Sequence, residues 1–209
     1  MWLNAGNDAG PAEIELWERI LKEFPDDELT VLKVGCAYGG GVEMCSKLLY
    51  GRGKVYGYDT FEGHPRDLAD DQTDLEAWCM DMWYEGGKVK PLLSVDKLKY
   101  EYQRRILDEQ FLYNAILVKG RVNDHSFDDI EKIHFALLDM DLIKPTVTAY
   151  NAIKDKFVPC GYLCMHDTLP ATHLPKIHDF AYDVVLKDGR WHLENEYPNG
   201  NLTVFKRKL

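Results

Sequence analysis

The sequence predicts a three-layer α/β sandwich on a mostly parallel sheet, and three observations carry that reading. A strand, a glycine-rich loop, a helix and a second strand follow one another within residues 29–58. Later runs at 115–118, 135–138 and 162–165 are short and continuously apolar, as in a parallel sheet covered on both faces. Three of the strand runs end in polar groups, at Asp59, at Asp139 and at His166-Asp167.

Each element has its own signal. Residues 11–24 open with Pro11 and place Ile14, Trp17, Ile20 and Leu21 at helical spacing, an amphipathic helix with proline in its first turn. Leu29 to Val34 is a β-rich run, Gly35 to Gly41 interrupts it, and residues 42–50 read as a helix stopped by Gly51-Arg52-Gly53. Lys54 to Tyr58 is the second strand. Two strands joined through a helix in this way are parallel, with a right-handed crossover. The fold class is therefore Rossmann-like. Strands follow at 115–118 and 135–138, then a helix at 145–157, a turn at Pro159-Cys160-Gly161 and a strand at 162–165. A helix at 174–187 precedes strands at 191–196 and 202–206, which Asn199-Gly200 joins as a hairpin. The prediction is a seven-stranded sheet with an antiparallel C-terminal hairpin strand. Residues 1–209 read as a single domain, with a helical lid or substrate insertion at about 64–114.

Composition narrows the function. Thirty-five acidic against 25 basic residues give a net charge of −10, which speaks against nucleic acid as the partner. No run approaches the roughly 20 apolar residues of a membrane span, and the first residues do not read as a secretory signal. Five cysteines without a C-x-x-C pair suit a reducing compartment, so the expected location is cytoplasmic.

The chemistry gathers at the ends of the strands. The loop Gly35-Cys36-Ala37-Tyr38-Gly39 lets a ligand approach the backbone and leaves helix N–H groups free. Its spacing is G-x-x-x-G-G, not the dinucleotide pattern G-x-G-x-x-G. Asp59 ends the next strand, where a carboxylate can accept both hydroxyls of a ribose; a cap or turn aspartate is the plain alternative. Asp139, His166 and Asp167 end two further strands on the same edge. Their oxygen and imidazole donors suit Mg2+ or Mn2+ over thiolate-loving metals. Such an ion would bind a substrate hydroxyl and lower its pKa.

These pieces resemble the macrocin O-methyltransferase family of class I methyltransferases. The similarity runs through Val34-Gly35 and Gly39-Gly40, Tyr58-Asp59-Thr60-Phe61-Glu62-Gly63-His64-Pro65, Val118 to Asp124, Leu138-Asp139-Met140-Asp141-Leu142, and Gly161-Tyr162 to His166-Asp167. At the second of these the family has an Asp-Ser-Phe-Glu-Gly-Leu-Pro-like run. The resemblance implies S-adenosylmethionine as cofactor, a small hydroxylated acceptor such as a sugar or other natural product, and a homo-oligomer as one compatible state. It implies that Gly35 and Gly39 flank the methionine part, that Asp59 takes the ribose, and that Thr60, Phe61 and Val122 lie near the adenosine. Asp139, His166 and Asp167 would hold the metal, and the metal with His166 or Asp141 as base would deprotonate the hydroxyl. Three departures stand out. Lys33 occupies a position where the family has an acid, which weakens the expected hold on the cofactor's ammonium. His166 replaces a carboxylate. Leu142 to Thr146 replaces a tyrosine-containing run.

Two rival classes follow from the same residues. A nicotinamide-dependent oxidoreductase would carry the dinucleotide glycines, which are missing. A cofactor-binding protein without turnover is suggested by Lys33 and His166.

Overall fold

The computed structural model describes residues 11–25, 28–64, 99–169, 174–198 and 201–209. Seven strands form one sheet in the order β3-β2-β1-β4-β5-β7-β6. They are β1 (Leu29–Val34), β2 (Gly53–Asp59), β3 (Ala115–Lys119), β4 (Ile133–Leu138), β5 (Phe157–His166), β6 (Trp191–Tyr197) and β7 (Leu202–Arg207). The first five are parallel, and β7 enters antiparallel between β5 and β6. The predicted mixed sheet is the observed one. Asn199-Gly200 and most of the predicted insertion at 64–114 lie outside the described residues.

Described helices are α1 (Pro11–Lys22), α2 (Gly40–Leu48), α3 (Tyr100–Glu109), α4 (Ile143–Ile153) and α5 (Pro175–Asp179). None of them is long and apolar enough to cross a membrane. The strand rows alternate between two apolar cores, one on each face. Val31, Phe135 and Tyr162 are register partners and belong to the first core with Trp17, Ile20 and Val42. Leu32, Ala136, Leu163 and Phe205 form the next row and belong to the second, with Tyr150, Ile153 and Trp191. Side chains of a strand point alternately to opposite faces, so continuous apolar runs fill both layers at once.

Two predicted boundaries need correction. Residues Pro159-Cys160-Gly161 are not a turn: β5 runs through them from Phe157, with Cys160 at φ 61° and a register shift against β4. Two steps on β4, Ile133 to Phe135, oppose five on β5, Phe157 to Tyr162, and such an irregularity satisfies the same glycine and proline signals as a turn. The predicted helix at 174–187 is α-helical only to Asp179. It continues as a π-helical stretch (Phe180–Val185) and a 3-10 turn (Leu186–Asp188). From this stretch Phe180, Ala181 and Val185 all reach the second core.

Strand order fixes where a ligand can sit. From β1 the chain moves outward to β2 and β3, then returns to β4 and β5 on the other side. The chain leaves β1 into α2 on the first core and leaves β4 into α4 on the second, and the carboxyl ends at such a switch point are where ligands bind in open α/β sheets.

Candidate active site

The bend after β1 is shaped by close backbone approach. Gly35 has φ 88°, and a Cβ there would lie 1.7 Å from the Asp139 carbonyl oxygen, so only glycine fits. The β1 and β4 loops therefore meet backbone to backbone. Ala37 at φ 43° and Gly39 at φ 83° turn the chain into α2. Gln103 of α3, 3% exposed, donates from Nε2 to the Ala37 carbonyl at 2.6 Å and steadies the loop. Tyr38 is largely buried.

Asp59 docks onto that bend. Its Oδ2 accepts the Cys36 N–H at 2.6 Å, and its Oδ1 accepts the Phe61 N–H at 2.8 Å. An ionised carboxylate has about four acceptor positions, so roughly two remain for hydroxyls. Thr60 turns inward, its hydroxyl donating to the Gly63 carbonyl at 2.7 Å. Phe61, at φ 55°, buries its ring edge-on against Tyr100 at 5.3 Å in the first core. Val122 packs half-buried against the second core. Their side chains thus fall in different layers.

On the other side of β1 stand Asp139, His166 and Asp167, each offering a donor atom within 4.8 Å of the others. His166 Nδ1 is 3.7 Å from Asp139 Oδ1 and 3.6 Å from Asp167 Oδ2. The second oxygen of each carboxylate is engaged elsewhere. Lys33 Nζ donates to Asp139 Oδ2 at 2.5 Å, and Asn201 Nδ2 donates to Asp167 Oδ1 at 2.8 Å. Outer bonds of this kind orient metal-binding carboxylates in general. One oxygen from each acid and one imidazole nitrogen therefore share a corner, a donor set that fits a divalent cation.

Lys33 is the unexpected member. Its row, with Leu137, Cys164 and Val204, faces the first core, and its side chain is 4% exposed. The stem passes beneath α2, where a Cβ on Gly41 would come within 3.0 Å of Lys33 Cε. Burial pushes the Asp139 carboxyl up, but Lys33, His166 and His64 outweigh it and hold it below the ordinary value. The ammonium of Lys33 is thus committed to Asp139.

Asp141 lies just past Asp139, at φ 59°. Its Oδ2 is 2.9 Å from His64 Nε2. Burial raises its pKa, the His64 contact lowers it, and Asp139 and Asp167 raise it, with a net upward shift. His64, Gln103 and Asn201 were not singled out by sequence. For His64 a signal existed: it stands where the resembled family has leucine. Gln103 and Asn201 act across the fold and left none.

Comparison with solved structures gives the same architecture. A calicheamicin methyltransferase, CalS11, shares 17% identity at a TM-score of 0.67, over 93% of this chain and 78% of that one. The O-methyltransferase NovP shares 18% at 0.73, over 96% and 81%. An rRNA methylase from Streptococcus thermophilus shares 17% at 0.54, over 96% and 98%. The fold is theirs. Identity this low carries the fold and leaves the acceptor open. No protein-family model matches the chain, and no curated protein matches it by sequence.

Proposed function

We propose that the chain is an S-adenosylmethionine-dependent O-methyltransferase that acts on a small hydroxylated acceptor with help from a divalent cation. The observation that supports it best is Asp59 on the Cys36 N–H at 2.6 Å, on the strand-end edge that also carries Asp139, His166 and Asp167. A ribose carboxylate, a glycine bend and a cation corner then open onto one crevice. Gly35, Cys36, Ala37, Tyr38 and Gly39 would seat the methionine part, and Asp59 with Thr60, Phe61 and Val122 the nucleoside.

Bound cofactor would supply an electrophilic methyl group on its sulfonium. Asp139, His166 and Asp167 would hold Mg2+ or Mn2+, which lowers the pKa of a bound hydroxyl. The protein's own part is placement: holding a hydroxyl in line with the methyl contributes up to about 7–11 kcal/mol of effective concentration. The hydroxyl loses its proton to a base, the oxygen forms the C–O bond, and the S–C bond breaks. His166 sits among the candidate ligands, so Asp141 is the better placed of the two expected bases. A net charge of −10 supports a small acceptor over RNA. A single domain over 1–209, with 64–114 walling the acceptor, completes the proposal.

Calorimetric titration tests it. S-adenosylmethionine should bind at micromolar concentration and NADH should not; the reverse result overturns the reading. Labelled methyl should then transfer to one of a panel of sugars and phenols and stop on chelation. If Asp139→Ala left turnover untouched with chelator absent, the cation role would fail.

A further inference from the structure

We propose that the Asp139-His166-Asp167 corner binds divalent transition ions in preference to Mg2+, and that the His166 nitrogen makes the choice. This rests on the cation role in the methyl-transfer reading and deepens it, because that role leaves Mg2+ and Mn2+ equivalent.

The sheet delivers the nitrogen. Leu138 pairs with Met165, so the next residues of the two strands, Asp139 and His166, end one row, and Leu202 of β7 pairs with His166 from the other side. A strand alternates its faces, which would send Asp167 away from His166. Asp167 instead adopts φ 57°, and its Oδ2 lies 3.6 Å from His166 Nδ1. The side chains of His166, Asp139 and Asp167 are 25%, 21% and 22% exposed, so an ion can enter and an acceptor oxygen can reach it.

Distances favour a shared ion over a plain contact between ring and acid. A hydrogen bond would bring nitrogen and oxygen to about 2.7–3.2 Å. His166 Nδ1 is 3.7 Å from Asp139 Oδ1 and 3.6 Å from Asp167 Oδ2, beyond that range for both. Two bonds of about 2.0–2.2 Å that meet at one ion span such a gap. Lys33 and Asn201 hold the opposite oxygens, which leaves one oxygen of each acid toward the ring.

Donor type then decides the ion. Mg2+ is a hard cation that takes oxygen ligands and keeps several waters. Imidazole nitrogen suits first-row transition ions, whose affinity rises from Mn2+ to Cu2+. Charge sharpens the difference. Asp139 and Asp167 bring two negative charges, a neutral imidazole brings none, and the Lys33 ammonium offsets one of the two. An ion that depends on charge alone is held weakly here. Every dication feels Lys33 alike, so Lys33 sets affinity and His166 sets identity.

Mn2+ alone, added to the full chain, tests this, because it is the weakest binder of the series and so the most stringent probe. Pulsed paramagnetic resonance of the bound ion should show modulation from a directly coordinated nitrogen, altered by 15N-labelled histidine and absent from His166→Asp. Bound Mn2+ without a histidine nitrogen, or no bound Mn2+, overturns the proposal. The labelled unmodified protein decides this even if the variant fails to fold. In competition, the excess of Mg2+ that displaces half of the Mn2+ should fall at least about fivefold in His166→Asp, whose donors are all oxygen. A smaller fall overturns the selectivity. Titration with S-adenosylmethionine measures the methyl-transfer reading separately: failure to bind it would sink that reading and leave a nitrogen-bound ion in place.

Discussion

The carboxylates of Asp59 and Asp139 stand on either side of β1, and they are held by different means. Asp59 is fixed by two backbone N–H groups, Cys36 and Phe61, close to it in the fold of a single βαβ unit. Asp139 is fixed by the ammonium of Lys33, and its neighbour Asp167 by the amide of Asn201, far along the chain. Backbone donors come with any tight strand-end loop, so the Asp59 side of β1 is built locally. Side-chain donors must be delivered from distant segments, so the Asp139 side depends on the sheet being assembled. The first is a feature of the motif; the second is a feature of this sequence.

That contrast can be broken most severely at the point where the two sides touch. Gly35→Ala places a methyl 1.7 Å from the Asp139 carbonyl. It should cost more than about 4 kcal/mol, read as a large drop in urea midpoint or loss of soluble protein. A near-neutral result would mean that the loops are not packed backbone to backbone.

Next comes Lys33→Met, which leaves Asp139 partly buried without its cation. Removing one partner of a buried pair costs about 3–5 kcal/mol, here toward the lower end because Asp139 keeps some exposure. The same variant should bind Mn2+ at least about tenfold more tightly by calorimetry, since a positive charge near the corner is gone. Unchanged Mn2+ affinity would separate Lys33 from the cation corner.

Asp59→Asn sharpens the other side. The backbone bonds survive in part, while the acceptor charge toward ribose hydroxyls is lost. Stability should fall by about 1 kcal/mol and S-adenosylmethionine affinity by tenfold or more, as expected for hydrogen bonds to a charged group at about 1.5–3 kcal/mol each. Asn201→Ala is the mild counterpart, with about 1 kcal/mol of stability lost and Mn2+ affinity down about tenfold.

The smallest effect is in the pH profile. Asp139 has a folded pKa below the ordinary carboxylate value, so its charge stabilises the fold above that value. The contribution is lost as pH falls through the lowered folded pKa. Acid unfolding should therefore lose part of its steepness below about pH 4 in Asp139→Asn, monitored by circular dichroism. Asp141 shifts the other way, so its charge opposes folding above its raised folded pKa, and Asp141→Asn should ease folding slightly at neutral pH.

Much was legible in the residues because period and punctuation are local. Leu29–Val34 begins and ends where its apolar run does, and Gly35 marks a bend that no other residue can make. The hairpin partners β6 and β7 were visible from two strand runs joined by Asn199-Gly200. The break inside β5 was misread because Pro159-Cys160-Gly161 looks alike in a turn and in a bulge. The partner of Lys33 was not legible for a different reason: Asp139 lies on a neighbouring strand.

What the sequence determined by itself is the order of strands and helices, the seat of the glycine bend, and the identity of the acids at the strand tips. These depend on dihedral limits and on side-chain periodicity, which act over a few residues. Only the tertiary structure decided which partner each acid keeps: Lys33 for Asp139, Asn201 for Asp167, His64 for Asp141. Those choices are made by strand order, because a parallel sheet brings the ends of distant segments to one edge, and no local rule says which neighbours meet there.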